Sequence, residues 1–273
     1  MIIRYPGGKS KKSIKQKIAS RFPKSFSEYR ETMVGGGGIF FSIDKNKKRW
    51  INDIDQNLIA VYTALKEKKE EFIKRCRDIN TKNVEELRNK FEELANDANS
   101  DPALRYFFIN RTVWAGRVNY ELKSRLYFSN PQGWNIINTK KLEQAADFLK
   151  DAKISYGDYE KMLLEDGDDV LIYIDPPYYL NTKLSKCSRL YRYNFEEEDH
   201  DRLFELVKNC KHKVVISYDD CPRIRKLYKD FNFGNGLGDS DVESFDFKYC
   251  GTSSAQNQSK TKRVGKELII SNF

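Results

Sequence analysis

Asp175-Pro176-Pro177-Tyr178 directly follows the apolar run Val170-Leu171-Ile172-Tyr173-Ile174. The run reads as a buried strand, and the two prolines end it abruptly, since proline cannot donate to a sheet ladder and restricts the residue before it. The rigid turn that follows presents a carboxylate, a backbone carbonyl and an aromatic face together. That set suits work on an aromatic amine, a poor nucleophile because its lone pair is delocalised into the ring. Asp175 and the Pro176 carbonyl can accept the two amine hydrogens and concentrate electron density on nitrogen, while Tyr178 can stack on the ring.

Two further features suit a bound small molecule. Gly35-Gly36-Gly37-Gly38 follows a strand-like stretch, so the backbone there can turn sharply and approach a ligand closely. Asp53 stands 18 positions after Gly35 at the end of the next strand-like stretch. A carboxylate in that place can accept both hydroxyls of a ribose diol. The dinucleotide fingerprint would need glycine at Phe40, which disfavours NAD. Gly7-Gly8-Lys9-Ser10 is no phosphate-binding loop, because Ile3 occupies the position of its first glycine and no strand fits ahead of it. Asp158 ends another strand and is a candidate for the same pocket, although a turn-forming aspartate reads equally well there.

The elements that must position these groups are short apolar runs ending in Gly or Asp. Glu28 to Val34 leads to the glycines, Lys48 to Asn52 to Asp53, Ala152 to Tyr156 to Asp158, Val170 to Ile174 to Asp175, and Val214 to Tyr218 to Asp219 and Asp220; Glu267 to Ser271 closes the chain. With helical stretches between them, they predict an open, mostly parallel α/β sheet whose active groups gather at the carboxyl ends of the strands. Residues from about 60 to 140 break the rhythm. Val84, Leu87, Phe91 and Leu94 follow a helical period, Asp101-Pro102 reads as a helix cap with proline in the first turn, and an aromatic-basic stretch from Asn110 to Trp134 follows. We read a mainly helical insertion, with residues 1–59 and 142–273 forming one discontinuous domain and 60–141 the inserted one.

Composition narrows the classes. With 39% hydrophobic and 33% charged residues, the chain reads as an ordinary soluble protein. No apolar run is long enough to span a membrane or act as a signal core. A cytoplasmic location is expected. Five scattered cysteines and two histidines offer neither a disulfide framework nor metal-ligand spacing, so no metal is expected and the thiols should be free and buried. The net charge of +9 suits a polyanionic partner. Residues 1 to 27 hold eight of the basic side chains and no Asp or Glu, a pattern equally suited to a solvated helix face or to phosphates.

Taken in order, these segments resemble the Dam-like family of DNA adenine N6-methyltransferases nearly end to end. Arg4-Tyr5-Pro6-Gly7-Gly8-Lys9 resembles its N-terminal cofactor motif, Glu31-Thr32-Met33-Val34-Gly35-Gly36-Gly37 its glycine motif and Asn52-Asp53-Ile54-Asp55 its acidic one. Asn110-Arg111-Thr112 with Gly116 is similar to a stretch of the recognition domain, and Asp175 to Tyr178 to the catalytic tetrapeptide. Val215 to Asp219 and Glu267 to Asn272 resemble the last strands.

The resemblance implies a doubly wound, Rossmann-like methyltransferase sheet with an inserted helical DNA-recognition domain, using S-adenosylmethionine. It implies cofactor contacts at Tyr5, Lys9, Gly35, Gly36, Gly37, Asp53 and Asp175, with Asp158 as an addition from its position. Catalysis would rest on Asp175, Pro176 and Tyr178. Lys11 and Lys12 suit DNA phosphates; Arg111, Arg117 and Arg125 suit base edges, with Arg111 the weakest because it follows an apolar helix face. The implied partner is double-stranded DNA, and a companion restriction enzyme is compatible with the family. RNA adenine, the cytosine amino group and a catalytically idle DNA-binding homologue remain alternatives. Thr32 and Met33 replace the usual proline and phenylalanine, and the section from Ser124 to Pro131 departs from the GATC-specific members, so the recognition sequence does not carry over.

Overall fold

The computed structural model describes residues 2–113, 116–118, 128–129, 138–179, 192–229, 243–248 and 264–273, with backbone alone for 229, 243–248 and 264–266. Among the described residues seven strands form one sheet: β1 Glu28–Glu31, β2 Lys48–Asp53, β3 Ala152–Tyr156, β4 Val170–Ile174, β5 Lys213–Asp219, β6 Glu243–Lys248 and β7 Val264–Ser271, in the order β3-β2-β1-β4-β5-β7-β6. The first five are parallel, and β7 runs antiparallel to both β5 and β6. The chain thus winds outward from β1 to β3 and then returns to β4 on the other side of β1. Ligands in such sheets bind where the order reverses, outside the carboxyl ends of the strands.

Alternation along the strands explains burial on both faces. In β4, Leu171 and Tyr173 join one hydrophobic cluster while Val170, Ile172 and Ile174 join the other, as a period of two requires. The first cluster is covered by α1 Lys12–Ala19, α2 Gln56–Glu67, α3 Lys69–Asp78, α4 Val84–Asn96, α5 Pro102–Thr112 and α6 Thr139–Leu149. The second is covered by α7 Glu160–Leu164, α8 Glu197–Lys208 and α9 Pro222–Lys229. Helix starts follow their caps. Asp55 accepts from the backbone of Asn57 and Leu58, Asp101 from Leu104 with proline in the first turn, and Asn138 from Lys141.

Several expectations are adjusted. β1 stops at Glu31 instead of Val34, yet Thr32 N still bonds to Tyr173 O and Val34 N to Asn52 O, so the chain stays beside its neighbours. β6 has no counterpart among the expected strands. Phe72, Leu87, Phe91 and the buried face of α5 belong to the same core as β1 and β2, and positions 59/60 and 141/142 fall inside α2 and α6. Cys76 and Cys221 are buried and Cys210 half-buried, all three free; Cys187 and Cys250 lie outside the described residues.

Candidate active site

A cavity of about 480 Å³ opens at the carboxyl ends of β1, β2 and β4. Small-molecule sites usually enclose roughly 300–1000 Å³. β1 and β4 are paired so that Glu31 lies opposite Tyr173, which brings the start of the glycine segment beside Asp175. Asn52 fastens the neighbouring ends: its amide donates to Thr32 O at 3.1 Å and Gly157 O at 2.8 Å, and its oxygen accepts from Ser155.

The N-terminal segment reaches the cavity because α5 holds it. Asn110, fully buried, accepts from Arg4 N at 2.9 Å and donates to Arg4 O at 2.7 Å and Gly116 O at 3.0 Å. Tyr5 then lies across the glycine loop, where a side chain at Gly35 would sit 2.9 Å from its ring. Gly35 also has φ +46°, a left-handed conformation that side chains disfavour. Gly37, at φ +67°, serves packing instead. It does not line the cavity, and a side chain there would strike the Phe41 ring at 2.8 Å.

Glu31, Asp53 and Asp175 line this cavity, and Glu267 is buried near Asp175 and Lys9. Asp53 is 4% exposed, accepts from Gly35 N at 2.9 Å and Asp55 N at 3.0 Å, and is pushed by burial up to about 7 against those bonds. Glu31 is pushed up to about 8, chiefly by burial and further by the charges of Asp175 and Asp53, while a 2.6 Å bond from Tyr29 opposes the rise. Asp175, with its side chain 21% exposed, is raised by burial and pulled back by Lys9. Glu267 at the end of the sheet is fully buried.

Lys9 is the buried cation that answers them. It is 3% exposed, and its Nζ lies 2.8 and 3.0 Å from the two oxygens of Asp175, 2.6 Å from the Tyr178 hydroxyl and 3.6 Å from Glu267 Oε1. Burial alone would lower the lysine; Asp175 and Glu267 outweigh it and hold it above its ordinary value.

The site is thus a small-molecule cavity walled by carboxylates, with a lysine-held aspartate on a double-proline turn. Residues 5–236 match the D12 class N6 adenine-specific DNA methyltransferases, which covers most of the chain. The chain belongs to that family. The methyltransferase is 26% identical over 283 residues to the type II methyltransferase M1.LlaDCHI of Lactococcus lactis subsp. cremoris, covering 99% of this chain and 94% of that one. It is 25% identical over 256 residues to the type II methyltransferase M.MjaIII of Methanocaldococcus jannaschii (84% and 88% covered), and 24% identical over 210 residues to the DNA adenine methylase of Escherichia coli K12 (73% and 74%). Its reaction therefore requires a methyl donor and a DNA adenine, and its α/β sheet accords with a methyltransferase fold.

In this methyltransferase Tyr5, Lys9, Gly35, Gly36, Asp53, Asp158 and Asp175 all line the cavity. Pro176 and Tyr178 do not; both are buried, and Pro177 touches the cavity instead. In this arrangement the Tyr178 ring is buried. A buried phenol needs partners. Tyr178, 3% exposed, donates to Glu267 at 2.7 Å, accepts from Lys9 Nζ at 2.6 Å and packs its ring against Tyr218. Asp158 stands at the cavity mouth with both oxygens bonded to Arg202 at 2.8 and 2.9 Å, which lowers it below the usual carboxylate range.

The basic residues separate. Lys11 and Lys12 are exposed at the start of α1, whose first turn has no acidic residue. Arg111 is half-buried beside Arg4, which donates to its carbonyl, and burial lowers it to about 10 with Arg4 contributing. Arg117 is half-buried, far from the sheet end in sequence but near Gly116; Arg125 and most of the aromatic-basic stretch lie outside the described residues. Sequence reasoning missed the roles of Glu31, Asn110 and Glu267. Glu31 was open to the same strand-end rule that picked Asp53, whereas a lone glutamate in the last strand carries no local signal.

Proposed function

We propose that this chain transfers a methyl group from S-adenosylmethionine to the N6 amino group of adenine at a specific site in duplex DNA. The observation that carries the reading is the Lys9–Asp175 pair at the edge of an acid-walled cavity, between the carboxyl ends of β1 and β4. The donor set fits a cationic cofactor. Glu31, Asp53 and Asp175 line the cavity, and the sulfonium and ammonium groups of the cofactor would favour their ionised forms against the effect of burial. Asp53 has two backbone donors and, with about four lone-pair directions on a carboxylate, capacity left for a ribose diol. Ile54 offers an exposed apolar wall beside it, and Tyr5 another over the glycine loop.

Bound there, S-adenosylmethionine supplies a methyl group on a positively charged sulfur. Adenine cannot be reached inside the base stack, so the cavity must receive it flipped out of the duplex. Asp175, which lines the cavity, then accepts an amino hydrogen and sharpens the nitrogen lone pair. Asp175 also receives the proton that the methylated nitrogen must shed. Lys9 keeps Asp175 ionised and oriented, and Tyr178 anchors Lys9 and the turn. The chemistry rests on positioning and electrostatics, with no covalent enzyme intermediate.

DNA recognition is assigned to the helical segment 60–141, with Arg117 and Arg125 reading base edges. Arg4 and Arg111, two adjacent guanidiniums, suit a phosphate better than a base. Lys11 and Lys12 crowd positive charge onto a helix N-terminus, an arrangement that an anion relieves. The type II relatives suggest a companion restriction enzyme. The test is transfer of labelled methyl from S-adenosylmethionine to duplex DNA, with the product digested to nucleosides. N6-methyladenine is expected, and Asp175→Ala should lower its rate on the order of 10²–10³ while leaving the circular dichroism spectrum unchanged. Label on cytosine, or a fully active Asp175→Ala, would reject the reading.

A further inference from the structure

We propose that Glu267 is a positioning residue for methyl transfer, whose negative charge shares Lys9 with Asp175 and so keeps Asp175 available to the adenine amino group. This rests on the function proposed above. Glu267 is on β7, 92 residues beyond Asp175 in sequence, and reaches the site only because β7 inserts antiparallel beside β5. It is fully buried, its Oε1 accepts from the Tyr178 hydroxyl at 2.7 Å and lies 3.6 Å from Lys9 Nζ. Asp219, opposite it in the strand register, accepts from Tyr179 N at 2.8 Å. The turn after β4 is therefore gripped at three successive points: Asp175 by Lys9, the Tyr178 hydroxyl by Glu267, and the Tyr179 backbone by Asp219.

Anchoring Tyr178 alone would not call for a charge. A glutamine places an amide oxygen in the same spot without a buried carboxylate. Among the described residues Glu267 Oε2 makes no hydrogen bond; an amide nitrogen in its place would have no partner either, so charge is what sets the acid apart from glutamine. What the charge changes is Lys9. Facing Asp175 alone, the ammonium would commit all its attraction to that carboxylate and blunt it as an acceptor. A second carboxylate beside Lys9 offsets part of the lysine's charge as Asp175 feels it, so Asp175 keeps more of its acceptor strength.

The groups around Glu267 fix the sign of the pH effect. Lys9 faces it from the N-terminal segment, Asp175 and Tyr178 from the turn, Tyr173 from β4 and Asp219 from β5. Burial pushes Glu267 up to about 6, with Asp175 adding to the rise and Lys9 and Tyr178 opposing it. The charge is thus present at neutral pH and lost on acidification.

The experiment measures kcat and both KM values, for S-adenosylmethionine and duplex DNA, from pH 5 to 9 in the wild type, Glu267→Gln and Glu267→Asp, with melting temperatures alongside. Glu267→Gln should lose kcat by roughly 10- to 100-fold, the range for residues that orient a reacting group, with both KM values and the melting temperature near wild type. The acid limb of its kcat profile should move, and Glu267→Asp should recover part of the rate. Wild-type kcat in Glu267→Gln overturns the inference while leaving the proposed function intact. A loss confined to KM overturns it too. Should Glu267→Gln melt early, Glu267→Asp decides: an unshifted acid limb refutes the role. A wild type that methylates no adenine removes the proposed function, and this inference with it.

Discussion

Lys9 and Asp175 are 166 positions apart in the chain, and Lys9 Nζ lies 2.8 Å from Asp175 Oδ1 and 3.0 Å from Oδ2. One end of that contact is in the N-terminal segment, the other on the turn after the central strand. Both residues line the cavity. Asn110 on α5 pins Arg4, five residues before Lys9, and so holds the segment that carries the lysine.

Replacing Lys9 by methionine leaves Asp175 and Glu267 facing each other without a buried counter-charge. Breaking a buried pair on one side costs about 3–5 kcal/mol. Denaturant unfolding should show a loss of that order, lessened by whatever protonation Asp175 and Glu267 take up. Turnover should fall with it, because Asp175 loses the attraction that keeps it ionised. A Lys9→Met protein with unchanged midpoint and turnover would show the pair to be idle.

Asp53 and Glu31 give the free protein a pH signature. Both are raised above their unfolded values, to about 7 and about 8, so the native state binds more protons than the unfolded chain between roughly pH 4 and 8. Their contribution to stability is fully present below the unfolded values and is lost as pH rises through 7 and then 8. A cationic ligand reverses the sign, since it favours the ionised forms. Thermal melting from pH 5 to 9 should show S-adenosylmethionine stabilising more at pH 8 than at pH 6. Glu31→Gln should flatten the pH slope of the free protein, and an unaltered slope would count against the burial argument. Asp53→Ala should weaken the cofactor by ~1.5–3 kcal/mol, as for charge-assisted hydrogen bonds. It should also cost stability, because Gly35 N and Asp55 N lose their acceptor.

Asn110→Ala removes three bonds to the N-terminal segment and Gly116. Buried groups left without partners cost about 1–3 kcal/mol each. The segment carrying Tyr5 and Lys9 should loosen, so calorimetry should find weaker cofactor binding although Asn110 does not line the cavity. Asn110→Asp keeps the acceptor but turns a buried carboxylate oxygen on the Arg4 and Gly116 carbonyls, and should be at least as damaging as alanine.

Arginines and lysines should fail differently on DNA. Lys11→Ala or Lys12→Ala should weaken all sequences alike and reduce the salt slope by about one unit. Arg117→Ala or Arg125→Ala should cost roughly 1–3 kcal/mol at the cognate site and relax one base position. Methylation of a complete single-base variant set at fixed salt separates these outcomes. Uniform loss in the arginine variants would move specificity elsewhere, first to residues 251–263.

Local patterns carried much of this molecule. The ends of β2, β3, β4 and β5 were legible to within a residue because a buried strand must be apolar and must stop where polar backbone becomes exposed, as at Ile174 before two prolines. The same logic located Asp53 and Asp175 and placed the cap at Asp101. Non-local facts were illegible for an equally physical reason. β6 offers only short, mixed alternation in ESFDFK and owes its place to pairing with β7. The shared core of α2–α5 with the sheet follows from how α2 packs on β2, β3, α5 and α6, which no periodicity encodes. Tyr178 reads from sequence as a ring that can stack on a base, and only the folded chain brings Lys9 and Glu267 to its hydroxyl. Whether a polar group is a tool or an anchor depends on which partners arrive from distant segments, and that is decided by tertiary structure alone.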